Sequence, residues 1–126
     1  MEWIPITGEG FITESAIVTQ LINNRSQSHV TIGLPGWGYY NDTIAYMPLP
    51  RPINEDKRGW KSEYWGDELP SSGKYIVQLQ KNSDGRLRIG EGYYSEKDFR
   101  WSWISADFDV VAWRKFPKPY RPQTLT

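Results

Sequence analysis

Alternation of apolar and polar positions is the clearest signal in this chain, and its period is that of strands. In Lys74–Gln80 the residues Tyr75, Val77 and Leu79 fall on one face, and Arg86-Leu87-Arg88-Ile89 alternates strictly. The turn-forming run Asn82-Ser83-Asp84-Gly85 lies between them, so 74–92 is expected to be a β-hairpin. Phe99, Trp101 and Trp103 recur at spacing two, which predicts a strand with its three rings on one face. Asp109–Trp113 is short, nearly continuous in apolar character, and reads as a further strand.

The N-terminal half repeats this style more weakly. Ala16–Ile22 and Val30–Leu34 are β-branched segments joined by the polar run from Asn23 to Ser28, a second hairpin, and Thr43–Met47 is the next strand. Pro48, Pro50 and Pro52 then remove every other backbone donor and force an extended exit. Thr13–Leu21 has some helical character, with Thr13 as a cap, but Ile17, Val18 and Thr19 favour a strand. The expected fold class is all-β with little or no helix: two similar small antiparallel β modules packed as one compact unit. The first module covers 1–53, and the second covers 74–126 and ends in a basic proline-rich tail. The segment 54–73 is expected to be an ordered connection, because Trp60, Tyr64 and Trp65 are not what a disordered linker carries.

The halves are related in sequence. Ile44-Ala45-Tyr46-Met47-Pro48-Leu49-Pro50-Arg51-Pro52 aligns without gaps on Val111-Ala112-Trp113-Arg114-Lys115-Phe116-Pro117-Lys118-Pro119, at an offset of 67. Upstream, Gly38-Tyr39-Tyr40 echoes Gly92-Tyr93-Tyr94, and Ile17-Val18 echoes Ile76-Val77. Duplication of one module is the expectation.

Some of these motifs resemble a known family. Trp3-Ile4-Pro5-Ile6 and Ile44 to Pro52 are similar to the two ends of the small phage and prophage proteins catalogued as domain of unknown function number 551. Leu69-Pro70-Ser71-Ser72-Gly73-Lys74-Tyr75-Ile76-Val77 resembles that family's middle motif, L-P-x-x-G-x-x-V-L-V, and Val111 to Pro119 its close. The first half departs from the pattern, with Ile12-Thr13-Glu14-Ser15 where the middle motif would stand, and the family's His before Trp is replaced by Ala45 and Ala112. The resemblance implies a phage or prophage accessory protein acting inside a bacterium, and it transfers no catalytic residue.

Composition narrows the chemistry. Among 126 residues there is no cysteine, which excludes a disulfide framework, a thiolate metal site and a cysteine nucleophile. No apolar run approaches the roughly 18 residues of a membrane span, and Met1-Glu2-Trp3 opens no signal peptide, so a cytoplasmic protein is expected, in the bacterial host cell that the family resemblance implies. Seven Trp, eight Tyr and four Phe accompany a mean hydropathy of only -0.66, so the aromatics either build the core or form a surface platform. His29, the one histidine, falls in the polar turn, with no nucleophile elbow elsewhere to pair with it. Glu55, Asp56, Glu63, Asp67 and Glu68 match no calcium loop. The reading is a non-enzyme with no metal and no cofactor.

Formal charge sums to zero, yet residues 74–126 carry ten basic against six acidic side chains. Three functions are weighed. The first is a non-enzymatic binding protein that docks on a bacterial host protein and blocks it sterically, a host-takeover or anti-defence inhibitor, with Trp37, Tyr39, Tyr40, Tyr93 and Tyr94 as contact residues. The alternative is a nucleic-acid-binding small β-barrel-type domain, with Trp101 and Trp103 stacking bases and Arg86, Arg88, Arg100, Arg114, Lys115 and Lys118 meeting phosphates. The third is capture of a nucleotide or other small ligand in an aromatic pocket.

Overall fold

The computed structural model describes residues 2–121, so the end of the expected second module, 122–126, lies outside the described residues. Among the described residues the elements are eight strands and two three-residue 3-10 turns, Tyr39–Asn41 and Glu63–Trp65. The chain is all-β, with two four-stranded antiparallel sheets. No helix among the described residues is long and apolar enough to cross a membrane. Two compact units divide the chain: one runs to Leu49 and resumes at Pro117, and the other is Pro50–Phe116.

In the first unit the strands β1 (Ile4–Pro5), β2 (Ala16–Ile22), β3 (Gln27–Gly33) and β4 (Thr43–Pro48) lie in the order β1-β4-β2-β3. The central β2 is buried on both faces from Ala16 to Thr19, which explains its nearly unbroken apolar sequence. Its β-branched residues decide for strand over helix. Ala16 and Val18 form a core with Ile6 and Ile12, and Trp37 and Tyr46 pack against it. The hairpin turn is tighter than its polar sequence suggests. Asn23, Asn24 and Arg25 take left-handed φ values of 52°, 55° and 67° and close it, a conformation asparagine tolerates best among residues with a Cβ. His29 therefore lies in β3 and not in a turn, with its Nε2 2.9 Å from Oε1 of Gln20 opposite.

In the second unit the strands β5 (Gly73–Lys81), β6 (Leu87–Ser95), β7 (Arg100–Ser102) and β8 (Phe108–Lys115) lie in the order β7-β6-β5-β8. Tyr75, Val77, Leu79, Tyr94 and Trp113 form the core, with Trp101 and Ile104 among the residues packed against it. The Trp101 ring meets Tyr94 and Tyr75 edge-on at 5.0 and 5.9 Å, a favourable aromatic arrangement. Residues 54–73 lie inside this unit. Lys61 and Trp113 exchange two backbone hydrogen bonds of 2.9 Å, and the Ser62 hydroxyl donates to the Val111 carbonyl at 2.7 Å.

The two units repeat each other in register. Ala16 pairs with Gly33 and Val18 with Thr31, and at an offset of 59 Tyr75 pairs with Gly92 and Val77 with Gly90. Thr19 pairs with Ala45 and Gln20 with Thr43, leaving Ile44 as a bulge. Gln78 pairs with Ala112 and Leu79 with Val110, leaving Val111 as the matching bulge. The expected match of Gly38-Tyr39-Tyr40 to Gly92-Tyr93-Tyr94 does not hold. Gly92 stands where Gly33 does, Tyr93 and Tyr94 are in β6, and Tyr39 and Tyr40 occupy a 3-10 turn.

The proline-rich segments close the equivalence. In the second unit, the Trp60 indole donates to the Arg51 carbonyl at 2.9 Å and the Ile53 amide to Gln78 Oε1 at 3.1 Å. In the first unit, the Trp3 indole donates to the Lys118 carbonyl at 3.0 Å and the Tyr120 amide to Thr19 Oγ1 at 2.9 Å. Lys118 and Tyr120 are Arg51 and Ile53 displaced by 67 positions. Each unit thus holds the segment that follows the other unit's last strand in the chain.

Candidate functional site

β7 is an edge strand of three residues, and its two ends are unusual. Phe99 and Trp103, which flank it, adopt left-handed φ values of 52° and 69°. For a residue with a bulky side chain this backbone costs roughly 1–2 kcal/mol. The consequence is that alternation breaks at both ends. Trp101 keeps the inward direction and packs on the core, whereas Phe99 and Trp103 turn out to solvent, 77% and 63% exposed. Tyr93, opposite Ser102 across the β6–β7 pairing, stacks at a tilt on Trp103 with ring centroids 5.5 Å apart. Arg100 is exposed between the two outward rings. The stacked Tyr93 and Trp103 at one end of β7 and the exposed Phe99 and Arg100 at its other end make up the rim of this sheet edge.

The five residues expected at a protein interface have different placements. Trp37 is half-buried and packs on the first unit's core over Gly33, where an added Cβ would approach the ring to 3.1 Å. Tyr39 and Tyr40 are exposed on their 3-10 turn, which is tied by Asn41 Oδ1 accepting from the Gly38 amide at 3.1 Å and the Thr43 hydroxyl at 2.9 Å. Tyr93 belongs to the rim. Tyr94, only 2% exposed, points into the core, because neighbouring strand positions face opposite ways and Tyr93 takes the outward one.

The residues expected to meet nucleic acid are not gathered into one strip. Trp101 is held in the core, and Arg88 lies over the Phe108 ring at 6.0 Å. Arg86 pairs with Asp84 at 3.6 Å, while Arg100 and Trp103 sit at the rim. Arg114 lies over the Trp60 ring at 5.2 Å and Lys115 follows it at the end of β8. Lys118 is in the other compact unit. Among the described residues no group of three or more His, Asp or Glu is placed to hold a metal ion.

Asp56 and Arg114 both carry perturbed charges. The exposed Arg58 guanidinium and backbone amide hydrogen-bond Asp56, holding its carboxyl down at about 2. Burial pushes the Arg114 guanidinium below its usual value, with the charge of Asp56 opposing that shift. Other exposed rings were not singled out by the sequence as contact residues, chiefly Phe11, Tyr64 and Trp65. The outward turn of Phe99 and Trp103 had no local signal either, because left-handed positions usually carry Gly or Asn and neither stands there.

No family model, no curated protein and no solved structure matches this chain. Its likeness to the phage family rests on the short motifs alone.

Proposed function

We propose that the protein is a non-enzymatic binding protein that docks on another protein through the β6–β7 rim and blocks it sterically. In the phage setting its motifs imply, the partner is a bacterial host protein, and the protein acts in the cytoplasm as a takeover or anti-defence inhibitor. The observation that carries this reading is the pair of outward, left-handed aromatics, Phe99 and Trp103, at the two ends of one edge strand. Folding gains little from rings held in solvent on a strained backbone, while Trp, Tyr and Arg are the residue types that dominate interface energetics.

The test is capture from bacterial lysate by the immobilised full chain, with nuclease-treated and untreated arms. It compares the unaltered protein with Trp103→Ala and Tyr40→Ala. The expected result is one stoichiometric protein that survives nuclease. Trp103→Ala should weaken its binding by about 2 kcal/mol or more, on the order of 30-fold, with the melting temperature little changed. Binding that survives Trp103→Ala and fails with Tyr40→Ala would move the interface to the first unit. Recovery that vanishes with nuclease would transfer the function to nucleic acid.

A further inference from the structure

The second unit contains a cleft of about 560 Å³ at the end of β8, within the size range of small-molecule sites. Leu69, Pro70, Tyr75 and Trp113 give it apolar wall, and Lys61, Arg114 and Lys115 line it with three cations against one carboxylate, Glu68. The Tyr75 hydroxyl donates to the Ser71 carbonyl at 2.8 Å and fixes one rim.

Arg114 is built in with care. Its guanidinium lies over Trp60, its Nη1 donates to the Arg58 carbonyl at 3.4 Å, and it fills the space beside Gly59. A Cβ at position 59 would come within 2.6 Å of Nη2, and the φ of +83° there also calls for glycine. Among the described residues Arg114 makes no ion pair, and the nearby Asp56 is committed to Arg58 by hydrogen bonds of 3.0 Å. A partly desolvated cation without a carboxylate gains from an anionic ligand.

The duplication supplies an internal comparison. A cleft of about 390 Å³ occupies the same place in the first unit, with Tyr46 for Trp113 and Ala16 for Tyr75. The register sets Ile4, Met47 and Pro48 where Lys61, Arg114 and Lys115 stand, so this copy has no lining cation. The two clefts occupy equivalent places in their own units and differ in charge.

We propose that the cationic cleft binds a small phosphorylated molecule of nucleoside-monophosphate size. Lys61, Arg114 and Lys115 take the phosphate, and the flat body rests on Leu69, Pro70 and Tyr75. The site shares no residue with the β6–β7 rim and does not depend on the function assigned to it. The probes are adenosine, uridine, guanosine and cytidine 5′-monophosphates, their parent nucleosides and inorganic phosphate, titrated calorimetrically into the full chain at low ionic strength.

The expected result is saturable 1:1 binding of at least one monophosphate, with its nucleoside at least about tenfold weaker. Lys61 and Lys115 are exposed, so Lys61→Gln with Lys115→Gln should leave melting unchanged while weakening that binding about tenfold or more. Arg86→Gln, at the far end of the β5–β6 hairpin, should leave binding unchanged. Absence of saturable binding by any monophosphate up to about 10 mM would overturn the proposal, as would affinity indifferent to the two lysines.

Discussion

At the scale of single residues, the most informative positions are those where a side chain disagrees with its backbone. Phe99 carries a large ring in a left-handed conformation and leaves it in water, so neither packing nor propensity accounts for its identity. Asparagine visits that conformation readily. Phe99→Asn is therefore expected to keep or raise stability, by up to about 1 kcal/mol in denaturant unfolding, while weakening capture of the partner. A fall in stability of that size would mean the ring supports the fold. Asp56 is a second such position. Its carboxyl is held at about 2, below the ordinary 3.8, chiefly by the Arg58 side-chain hydrogen bonds. A carboxylate with a lowered folded pKa binds fewer protons than the unfolded chain. Its contribution is thus present above about pH 4 and fades as pH falls toward 2. Arg58→Gln should raise the Asp56 midpoint toward the ordinary range in a carboxyl NMR titration and shrink this acid-dependent loss of stability, because the folded and unfolded values then converge.

At the scale of elements, the hairpins were legible and the exceptions were not. Period-two patterning placed β5 and β6 because Tyr75, Val77 and Leu79 alternate into the core with Tyr94, although Ile76 and Gln78 of β5 are buried as well, and the β-branched run identified β2 against a helical alternative. Alternation failed at β7, where 99, 101 and 103 share a period but not a face, since a left-handed residue at each end reverses the direction of its side chain. The echo of Gly38-Tyr39-Tyr40 in Gly92-Tyr93-Tyr94 was likewise composition without structure. The pairing shows the counterpart of Gly92 to be Gly33. Val18 and Trp37 lie so close to it that a Cβ would meet Val18 Cγ1 at 2.7 Å. At Gly92 the nearest approach is 3.0 Å, to the end of the Ile104 side chain. Gly33→Ala is expected to cost about 1–3 kcal/mol and Gly92→Ala less, as measured by thermal or chemical unfolding. An equal or reversed order would mean that β2 and the Trp37 loop yield more easily than their packing implies.

At the scale of the whole molecule, the repeat in the sequence and the compact units of the structure divide the chain differently. The alignment of Ile44–Pro52 on Val111–Pro119 made the repeat visible, but nothing in it says which sheet each proline-rich end will join. Trp60 as the counterpart of Trp3 was hidden too, because the residues after each tryptophan share no pattern; the indole-to-carbonyl bond and the pairing of the next residue, Ile4 with Tyr46 and Lys61 with Trp113, relate them. Proline excludes these ends from a ladder, so each docks by the donors it retains, and the acceptors offered are the fully buried side chains of Thr19 and Gln78. Removing an acceptor strands a backbone amide, at a cost of about 1–3 kcal/mol. Thr19→Val is nearly isosteric and should release Tyr120 alone. Gln78→Leu should cost more, since its Nε2 also donates to the Arg88 carbonyl at 3.0 Å. Amide hydrogen exchange separates the two events. Thr19→Val is expected to lose protection at Tyr120 while Ile53 stays protected, and Gln78→Leu the reverse. If both amides lose protection together in either variant, the two tails are one cooperative element. If neither does, their hydrogen bonds to Thr19 and Gln78 contribute nothing to holding the exchanged ends.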